Sequence, residues 1–584
     1  MNKQNDLEAR RHSLAHLLAA AVLNLYPEAK LAIGPAIDTG FYYDFDLPKT
    51  ISDKDLPRIE QEMKKLLPTW HDFRRQELTP EQARNIYRDN PYKLELIEEL
   101  TATGQVLTTY ESGPMEHAFI DLCAGGHIDD LATIPPDSFK LERVAGAYWR
   151  GDEKNKMLIR IYGLAFADKQ ELEQFISHRA EAEKRDHRKL GKELDLFTFS
   201  DLVGSGLPLF TPKGTLMRNL IMDKINTLQS RFGYEQVTIP HITKKDLYET
   251  SGHWEKFKDD LFRVTGMSET EFVMKPMNCP HHTQIYAGKM RSYKELPIRF
   301  AETTMVYRDE QAGELLGLAR VRSITQDDGH VFCTFDQIEN EIGNIITVIK
   351  EFYSTLGMFR EGNYWVSLSV RDSKKLTDYL GEEKIWDQAE KILENAARHA
   401  KLDFKRVEGE AAFYGPKLDF MFKDSLGRER QLATAQLDFV MPERFDLTYV
   451  GPDGKEERPV MIHRAIAGSL ERFMAIMIEH FAGAFPFWLS PIQVKIIPIG
   501  DKHSDYAKEI AAQLREKNVR IELDENNDTL GKKIRTAKMQ KVPYLFVLGD
   551  KEMTDKKITV EDRDSGQSTQ MTLAEFLDKI ETED

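Results

Sequence analysis

The run FADKQELEQFISHRAEAEKRDHRKLGKELDLF, Phe166 to Phe197, constrains this chain more than any other stretch. It carries charges of both signs throughout and few turn formers, the pattern of a solvated helix spanning between domains. A chain with such a connector is not built on one core. Before it, Leu14, Leu17, Leu18, Ala21, Val22 and Leu25 recur at three and four residues, which predicts a helix over 8–25 that carries His12 and His16. The Gly/Pro-punctuated LAIGPAIDTGFYYDFDLP predicts strands around turns, residues 51–67 and 79–100 predict helices, and 105–165 predict short strands. Residues 1–170 therefore read as one α+β domain and 171–195 as a helical linker.

Beyond the connector the pattern changes. From 196 to 488, strands such as PIRFAETTMVYRDE and ATAQLDFVMP alternate with helices such as SLERFMAIMIEHFAG, predicting a large, mainly antiparallel sheet with flanking helices. After Pro491 come QVKIIPIG, an amphipathic helix from Ser504 to Lys517, RIELDE, a basic helix through Arg535, and VPYLFVLG. Strand, helix, strand, helix, strand predicts a small three-layer α/β domain over 489–584. The expected fold class is multidomain, α/β and α+β, in keeping with 584 residues at roughly 150 per domain.

Composition removes several classes. A hydrophobic share of 41% beside 30% charged residues is that of a globular chain and excludes a disordered or collagen-like one. The net charge of −16 argues against a protein that coats nucleic acid nonspecifically, while leaving room for a basic patch. Three cysteines cannot make a disulfide scaffold, so a reducing cytoplasm is the expected setting. The longest uncharged stretch, Phe481 to Val494, is broken by Pro486 and Pro491 and is shorter than the roughly 20 residues of a membrane helix. The N-terminus lacks the apolar core of a secretory signal. No membrane association is expected.

Chemistry concentrates at a few places. Cys279 in KPMNCPHH, His330 in TQDDGHVFC and His463 in MIHRAIAG lie too far apart for a zinc finger, whose ligands come in close pairs. Taken singly, each reads as an ordinary packed residue. VYRDEQAGELLGLARVRSITQDDGH predicts an arginine-bearing strand, a Gly-containing turn and a return strand with Arg320 and Arg322. Such a hairpin sets guanidinium groups and Glu310 on one face, suited to a triphosphate and a purine edge. It reads equally as a charged hairpin in water. GxxxxGK[ST] does not occur, so a nucleotide site here is of another kind. His12 and His16 share a helical face, and Cys123 with His127 in DLCAGGH forms a second pair. From the residues alone, HxxxH with CxxxH suggests a metal site.

The arginine hairpin, YRDEQAGELLGLARVRSITQDDGH, resembles motif two of the class II aminoacyl-tRNA synthetases. GSLERF, with Gly468 and Arg472, resembles motif three, and RFGYEQVTIP, with Pro240, resembles motif one. Together with KPMNCP, AFYGPKLDF and MIHRAIAGS, these make the chain from about residue 8 to its end similar to the threonyl-tRNA synthetase family. The resemblance implies an antiparallel class II catalytic core, an N-terminal editing domain and a C-terminal anticodon-binding domain. It implies that Cys279, His330 and His463 are three ligands of a zinc ion with one position open to substrate. Such a site answers a physical need, because an apolar pocket separates threonine from valine by only about 10²-fold. Asp328 is then the acceptor of the threonine hydroxyl proton. Arg308 and Arg472 clamp the phosphates of ATP, which carry Mg²⁺, and Glu310 reads the adenine amino group. Arg320, Gln326, Tyr414, Gln431 and Gln436 contact adenylate or amino acid. His253, otherwise a surface turn residue, acts at the terminal ribose of tRNA(Thr).

Serine also fits such a pocket, and a lost methyl is worth only about 1–3 kcal/mol, so a second, hydrolytic site is expected. Resemblance to the threonyl and alanyl editing domains implies that His12, His16, Cys123 and His127, with Lys93 and Asp121, hydrolyse mischarged seryl-tRNA without a bound metal. Asn527, Arg535 and Glu552 fall at the family's anticodon positions. Nearby GKKIRTAKMQKVP offers either a phosphate footprint or an ordinary solvated helix face. A homodimer with the Pro240 segment at its interface is also implied. The chain departs from the pattern in opening at the HSLAH helix, where full-length members begin with a small β-rich domain. It also has His281 in place of a glycine, Leu316 in place of a histidine, CAGGH in place of CRGPH, and Glu561 in place of an arginine. A noncatalytic RNA-binding regulator and a zinc hydrolase built on the HxxxH and CxxxH pairs are the alternative readings.

Overall fold

The computed structural model describes residues 3–114, 118–267 and 270–581. Two compact units divide the chain, Met1–Ala180 and Glu181–Asp584. In the first, α1 (Lys3–Leu25) packs on strand β1 (Gly40–Asp46) and on α2 (Leu56–Leu66). Residues 13–22 of α1 are all buried, so small side chains such as Ala15, Ala19 and Ala21 fill the faces that leucines leave free. Strand β2 (Phe73–Leu78) and helix α3 (Pro91–Ala102) precede β3 (Leu107–Ser112) and β4 (Phe119–Leu122), and β2, β3 and β4 form a small antiparallel sheet. Strands β5 (Phe139–Tyr148) and β6 (Met157–Ala165) complete the sheet begun by β1, with β6 antiparallel to both neighbours.

The connector departs from the single solvated helix expected of it. It comprises α4 (Lys169–Arg185) and α5 (His187–Glu193), separated at Asp186, whose side chain accepts from the Arg188 N–H and caps α5. Helix α5 is not solvated on all sides, since His187, Leu190 and Gly191 are buried. Short-range charge alternation hid this, because the three buried residues lie among seven that are mostly charged.

The second unit is organised by one eight-stranded sheet. After α6 (Pro212–Ser230) come β7 (Glu235–Gln236), α7 (Cys279–Ala287), β8 (Ile298–Tyr307), β9 (Ser323–Cys333), α8 (Ile338–Thr355) and β10 (Tyr364–Val370). These are followed by α9 (Glu383–His399), β11 (Phe404–Glu408), β12 (Lys417–Lys423), β13 (Glu429–Asp438), β14 (Val460–Ala465) and α10 (Leu470–His480). The strand order is β7-β8-β9-β14-β13-β12-β10-β11, antiparallel except for the parallel edge pairs β7/β8 and β10/β11. Ile342, Ile345, Ile346 and Ile349 of α8 recur at helical spacing and enter one core cluster with Val366, Leu418 and Ala435 of the sheet. This is the large antiparallel core that the strand patterns predicted.

Arg308, Arg320 and Arg322, expected on the strands of the hairpin, instead lie in the loop between β8, which ends at Tyr307, and β9, which begins at Ser323. Beyond Val321, β15 (Val494–Pro498), α11 (Ser504–Glu516), β16 (Ile521–Leu523), α12 (Leu530–Met539) and β17 (Tyr544–Leu548) give the expected strand and helix alternation farther down the chain. Two strands not foreseen, β18 (Ile558–Asp562) and β19 (Ser568–Met571), extend the parallel trio antiparallel.

Candidate active site

Strand β9 positions the chemistry by alternation. Successive side chains on a strand point to opposite faces, so Gln326, Asp328 and His330 share one face while Thr325, Asp327 and Gly329 share the other. The second set is structural. Asp327 accepts from Arg464 Nη1 at 2.6 Å and from the Ile466 and Ala467 N–H groups at 2.8 and 2.9 Å. A Cβ on Gly329 would lie 2.4 Å from Nε of Arg464, which is why TQDDGH has glycine there. Glu471 accepts both the Thr325 N–H and its hydroxyl at 2.7 Å, tying the first turn of α10 to β9.

On the opposite face, register brings distant residues together. His330 on β9 stands directly across from His463 on β14, and His463 stands across from Gln436 on β13. Cys279, at the start of α7, completes a group whose ligand atoms all lie within 4.8 Å of one another. His330 Nε2 faces His463 Nδ1 at 3.1 Å. Behind them, His463 Nε2 meets Asp438 Oδ2 at 2.8 Å and His330 Nδ1 meets His282 Nδ1 at 2.7 Å. Burial pushes the His330 imidazole well below and the Cys279 thiol well above their ordinary pKa values. A thiol, two converging imidazoles and a carboxylate behind one of them is a donor set that fits zinc with a position left open. Asp328 accepts from Asn278 Nδ2 at 3.0 Å, and burial raises its pKa.

Beside this group opens a cleft of about 540 Å³, within the size range of small-molecule sites. Arg308, Glu310, Arg320, Gln326, Gln431 and Arg472 all line it. Among the described residues, Arg308 and Arg472 have no carboxylate within 4.0 Å, so both guanidinium groups are free for an anion. Arg320, in contrast, holds Glu310 at 2.7 Å and Glu314 at 3.0 Å. Arg322 does not join the charged face expected of it. Its guanidinium donates to the carbonyl oxygens of Glu310 and Ser205. Gln431 donates to Asp419 Oδ1 at 2.7 Å.

His253 is 4% exposed, so the surface-turn alternative does not hold. It begins a short helix, His253–Phe257, with Nδ1 at 2.8 Å from Ser251 Oγ, and burial lowers its pKa to about 4. Tyr414 stands between it and the Cys279, His330 and His463 group, its ring centroid 6.5 Å from His253 and 5.5 Å from His463.

In the first unit, His12, His16, Cys123 and His127 also converge within 4.8 Å. Here the thiol is the hub: Sγ lies 3.4 Å from His12 Nε2 and 3.3 Å from His127 Nε2, and accepts from the Gly125 N–H. The His127 ring stacks on Phe73 at 4.2 Å, and its Nδ1 meets Ser13 Oγ at 3.2 Å. Burial depresses His127 to about 2 and His16 well below its ordinary value, and it raises the Cys123 thiol to about 12. All four groups are therefore uncharged. Lys93 and Asp121 form a buried ion pair at 2.5 Å, and Tyr43 donates to the same carboxylate. A cleft of about 660 Å³ lined by His12, Gly125, Gly126 and His127 gives access.

Three segments of the chain match known families. Residues 107–162 match the threonyl and alanyl tRNA synthetase second additional domain, 262–481 the tRNA synthetase class II core domain (G, H, P, S and T), and 493–583 the anticodon binding domain. The chain is 48% identical over 575 residues to a threonine–tRNA ligase of Acetivibrio thermocellus, a match covering 98% of this chain and 88% of that one. The chain belongs to the threonyl-tRNA synthetase family. Another member, from Dehalococcoides mccartyi, is 46% identical over 582 residues, with 99% and 97% covered. Among solved structures, the RNA binding domain of threonyl-tRNA synthetase from Cryptosporidium parvum superposes with a TM-score of 0.64 at 37% identity, covering 68% of this chain and 98% of that one.

Of the residues that the synthetase family resemblance sets at the anticodon end, Asn527 precedes α12 and Arg535 lies on it, both exposed. Glu552 is already engaged within the protein. It accepts from the Gly549 N–H at 2.9 Å and from the Thr559 hydroxyl at 2.7 Å, so it caps a helix end. Glu561 pairs with Lys538 of α12 at 2.6 Å. Four residues were missed: Asp438 and His282 behind the imidazoles, Tyr43 beside Asp121, and Lys275. The last donates to Thr304 Oγ1 at 3.1 Å, and burial lowers it to about 8. Only NCPHH, with two adjacent histidines after the cysteine, carried a signal for any of them.

Proposed function

We propose that this chain joins L-threonine to tRNA(Thr) with ATP, activating the amino acid in the β9 cleft and removing mischarged serine at the N-terminal cluster. The observation that carries the reading is that one face of β9 presents Gln326 to the cleft lined by the unpaired Arg308 and Arg472 and His330 to the group it forms with Cys279 and His463. In activation, a carboxylate oxygen of threonine forms a bond to the α-phosphorus of ATP as the bond to the bridging oxygen breaks and pyrophosphate leaves. Arg308 and Arg472 neutralise the charge spread over the phosphates, and alignment supplies much of the remaining acceleration. Glu310 turns from Arg320 to the adenine amino group, while Gln326, Gln431, Gln436 and Tyr414 hold the adenylate and amino acid. Among the described residues Glu310 is the one carboxylate lining the cleft, so Mg²⁺ would arrive with ATP and neutralise part of its phosphate charge.

Cys279, His330 and His463 would hold zinc, which supplies a Lewis-acidic centre with a vacant position for the amino group and hydroxyl of threonine. Asp438 and His282 fix the ring orientations of the two histidines. Asp328 accepts the hydroxyl proton, and valine has no such proton to give. In the transfer step, a ribose hydroxyl of tRNA forms a bond to the carbonyl carbon of threonyl-adenylate as the bond from that carbon to the phosphate oxygen breaks, and AMP leaves. His253, neutral at pH 7, is placed to accept the hydroxyl proton.

At the N-terminal cluster the high thiol pKa keeps Cys123 protonated, which favours attack by water over attack by sulfur. His12, His16 and His127, being neutral, can orient that water by hydrogen bonds, and Lys93 with Asp121 and Tyr43 offers charge for the ester. Cys123 Sγ is hydrogen-bonded to His12 and His127, and Ser13 rather than a carboxylate stands behind His127, which supports a metal-free site. Residues 1–170 are assigned to editing, 171–195 to a linker, 196–488 to activation and transfer, and 489–584 to the anticodon end, where Asn527 and Arg535 face solvent. A homodimer through the segment near Pro240 is part of this reading, with β7 beside it as an edge strand.

Threonine-dependent exchange of pyrophosphate into ATP tests the activation half, and its absence with the zinc-loaded protein would overturn the reading. Release of serine from seryl-tRNA(Thr) tests the editing half. A noncatalytic RNA-binding role has no specific observation in its favour, and among the described residues no helix is long and apolar enough to cross a membrane.

A further inference from the structure

The loop between β8 and β9 carries Arg308, Glu310 and Arg320, yet from Asp309 to Arg320 only Leu318 is buried. Its side chain belongs to the same core cluster as Leu190 of α5, and its N–H donates to Nε2 of His187 at 3.1 Å. His187 is 3% exposed. On its other side, Nδ1 lies 2.7 Å from Oε1 of Glu479. A nitrogen that accepts a backbone N–H carries no proton, so the ring is the Nδ1–H tautomer and donates to Glu479. Glu479 lies in the last turn of α10, the helix whose first turn bears Arg472. One imidazole thus joins the two elements that supply the arginines of the cleft. The fit is close: Gly317 has φ of 51°, and a Cβ there would lie 2.3 Å from His187 Nε2.

We propose that His187 is a positioning residue for nucleotide binding, fixing the 308–322 loop to α10 so that Arg308, Glu310 and Arg472 face ATP together. The proposal rests on the reading of the β9 cleft as the ATP site. Asp186, His187 and Glu479 also lie close enough to suggest a cation site, but Asp186 is paired with Arg188, Glu479 with Arg428, and His187 Nε2 accepts the Leu318 N–H, so their charges and lone pairs are already matched. His187 touches no substrate. Its effect is to place Leu318, which stands directly before the cleft-lining run Ala319, Arg320 and Val321.

The test is threonine-dependent pyrophosphate exchange on the full chain, with ATP and threonine varied separately. Loss of a buried hydrogen bond on the loop predicts that His187→Ala raises KM for ATP about tenfold while KM for threonine stays within about twofold. Glutamine can set an oxygen where Nε2 stands, and asparagine can set a nitrogen where Nδ1 stands. His187→Gln is therefore expected to restore most of the ATP affinity and His187→Asn to restore little. Gly317→Ala, which intrudes on the ring, reproduces the ATP defect. Unchanged KM for ATP in His187→Ala, an equal rise in both KM values, or equal rescue by asparagine and glutamine would overturn the proposal. Arg308→Ala separates the two levels: if it leaves exchange intact, the cleft reading itself fails, and if it abolishes exchange while His187→Ala does not alter KM for ATP, only the role of His187 fails.

Discussion

The two cysteine and histidine clusters use the same donor types and are wired in opposite ways. At Cys279, His330 and His463, the outer nitrogens are occupied by Asp438 and His282, so the inner ones point at a common centre. At His12, His16, Cys123 and His127, the sulfur is bonded to two of the rings, and a serine rather than a carboxylate stands behind His127. A carboxylate behind an imidazole raises its basicity as a ligand, whereas apolar burial among rings disfavours its charged form and keeps it neutral. Residue type alone does not distinguish a metal site from one that orients water. The outer partners do.

The sharpest way to break this comparison is metal analysis. Cys279→Ala should lower bound zinc from about one per chain to near zero, with a loss of threonine-dependent exchange beyond the roughly 10–100-fold typical of an outer partner, while His12→Ala leaves zinc unchanged. Retention of zinc in the first variant, or its loss in the second, would reverse the assignment. Next in size, Arg472→Ala should cost about 10²–10³-fold in exchange with zinc content intact, as expected for removal of a group that stabilises developing charge. His127→Ala should slow release of serine from seryl-tRNA(Thr) by about 10²-fold while charging with threonine continues, since misplacing the attacking water costs that much. Asp438→Asn is expected to weaken zinc by about 10–100-fold, measured by competition with a chromophoric chelator.

The smallest effect concerns pH. The folded His127 sits near 2 because burial disfavours its charged form, and an unfolded histidine takes its proton near 6.5. Its contribution is therefore complete above about 6.5 and falls as pH drops toward the folded value, by up to ~2 kcal/mol at pH 5. Thermal unfolding of the full chain at pH 7 and pH 5 should show a smaller acid penalty in His127→Gln than in the parent. An equal penalty in both would mean that the ring is not held neutral by the cluster.

Local periodicity revealed the elements of the fold, including the strands of PIRFAETTMVYRDE and ATAQLDFVMP and the helix of SLERF, but not how strands neighbour one another. His330 and His463 become a pair only through the β9/β14 register, and no spacing rule encodes a sheet order in which β14 lies between β9 and β13. Cys279, His330 and His463 were therefore silent until the resemblance connected them. Arg320 and Arg322 were misplaced onto a strand because alternating charge in ARVRS mimics a pleat, while the turn at Gly317 is dictated by His187 and Arg188 from elsewhere in the chain. His187 itself was hidden among charged neighbours. His253 lost its surface reading for a similar reason: what buries it is Phe257, Phe413 and Tyr414, two of them far away in sequence.

The pleat of β9 deals its residues alternately to scaffold and to chemistry, and this closes one route of change to the strand. Deleting or inserting a single codon within 323–333 would present Asp327 and Gly329 to substrate and drive Asp328 and His330 into the layer held by Arg464. Such a protein could keep its sheet and lose the cleft and the Cys279, His330 and His463 group at once. Drift in this strand is confined to substitution, one position at a time, within a fixed frame.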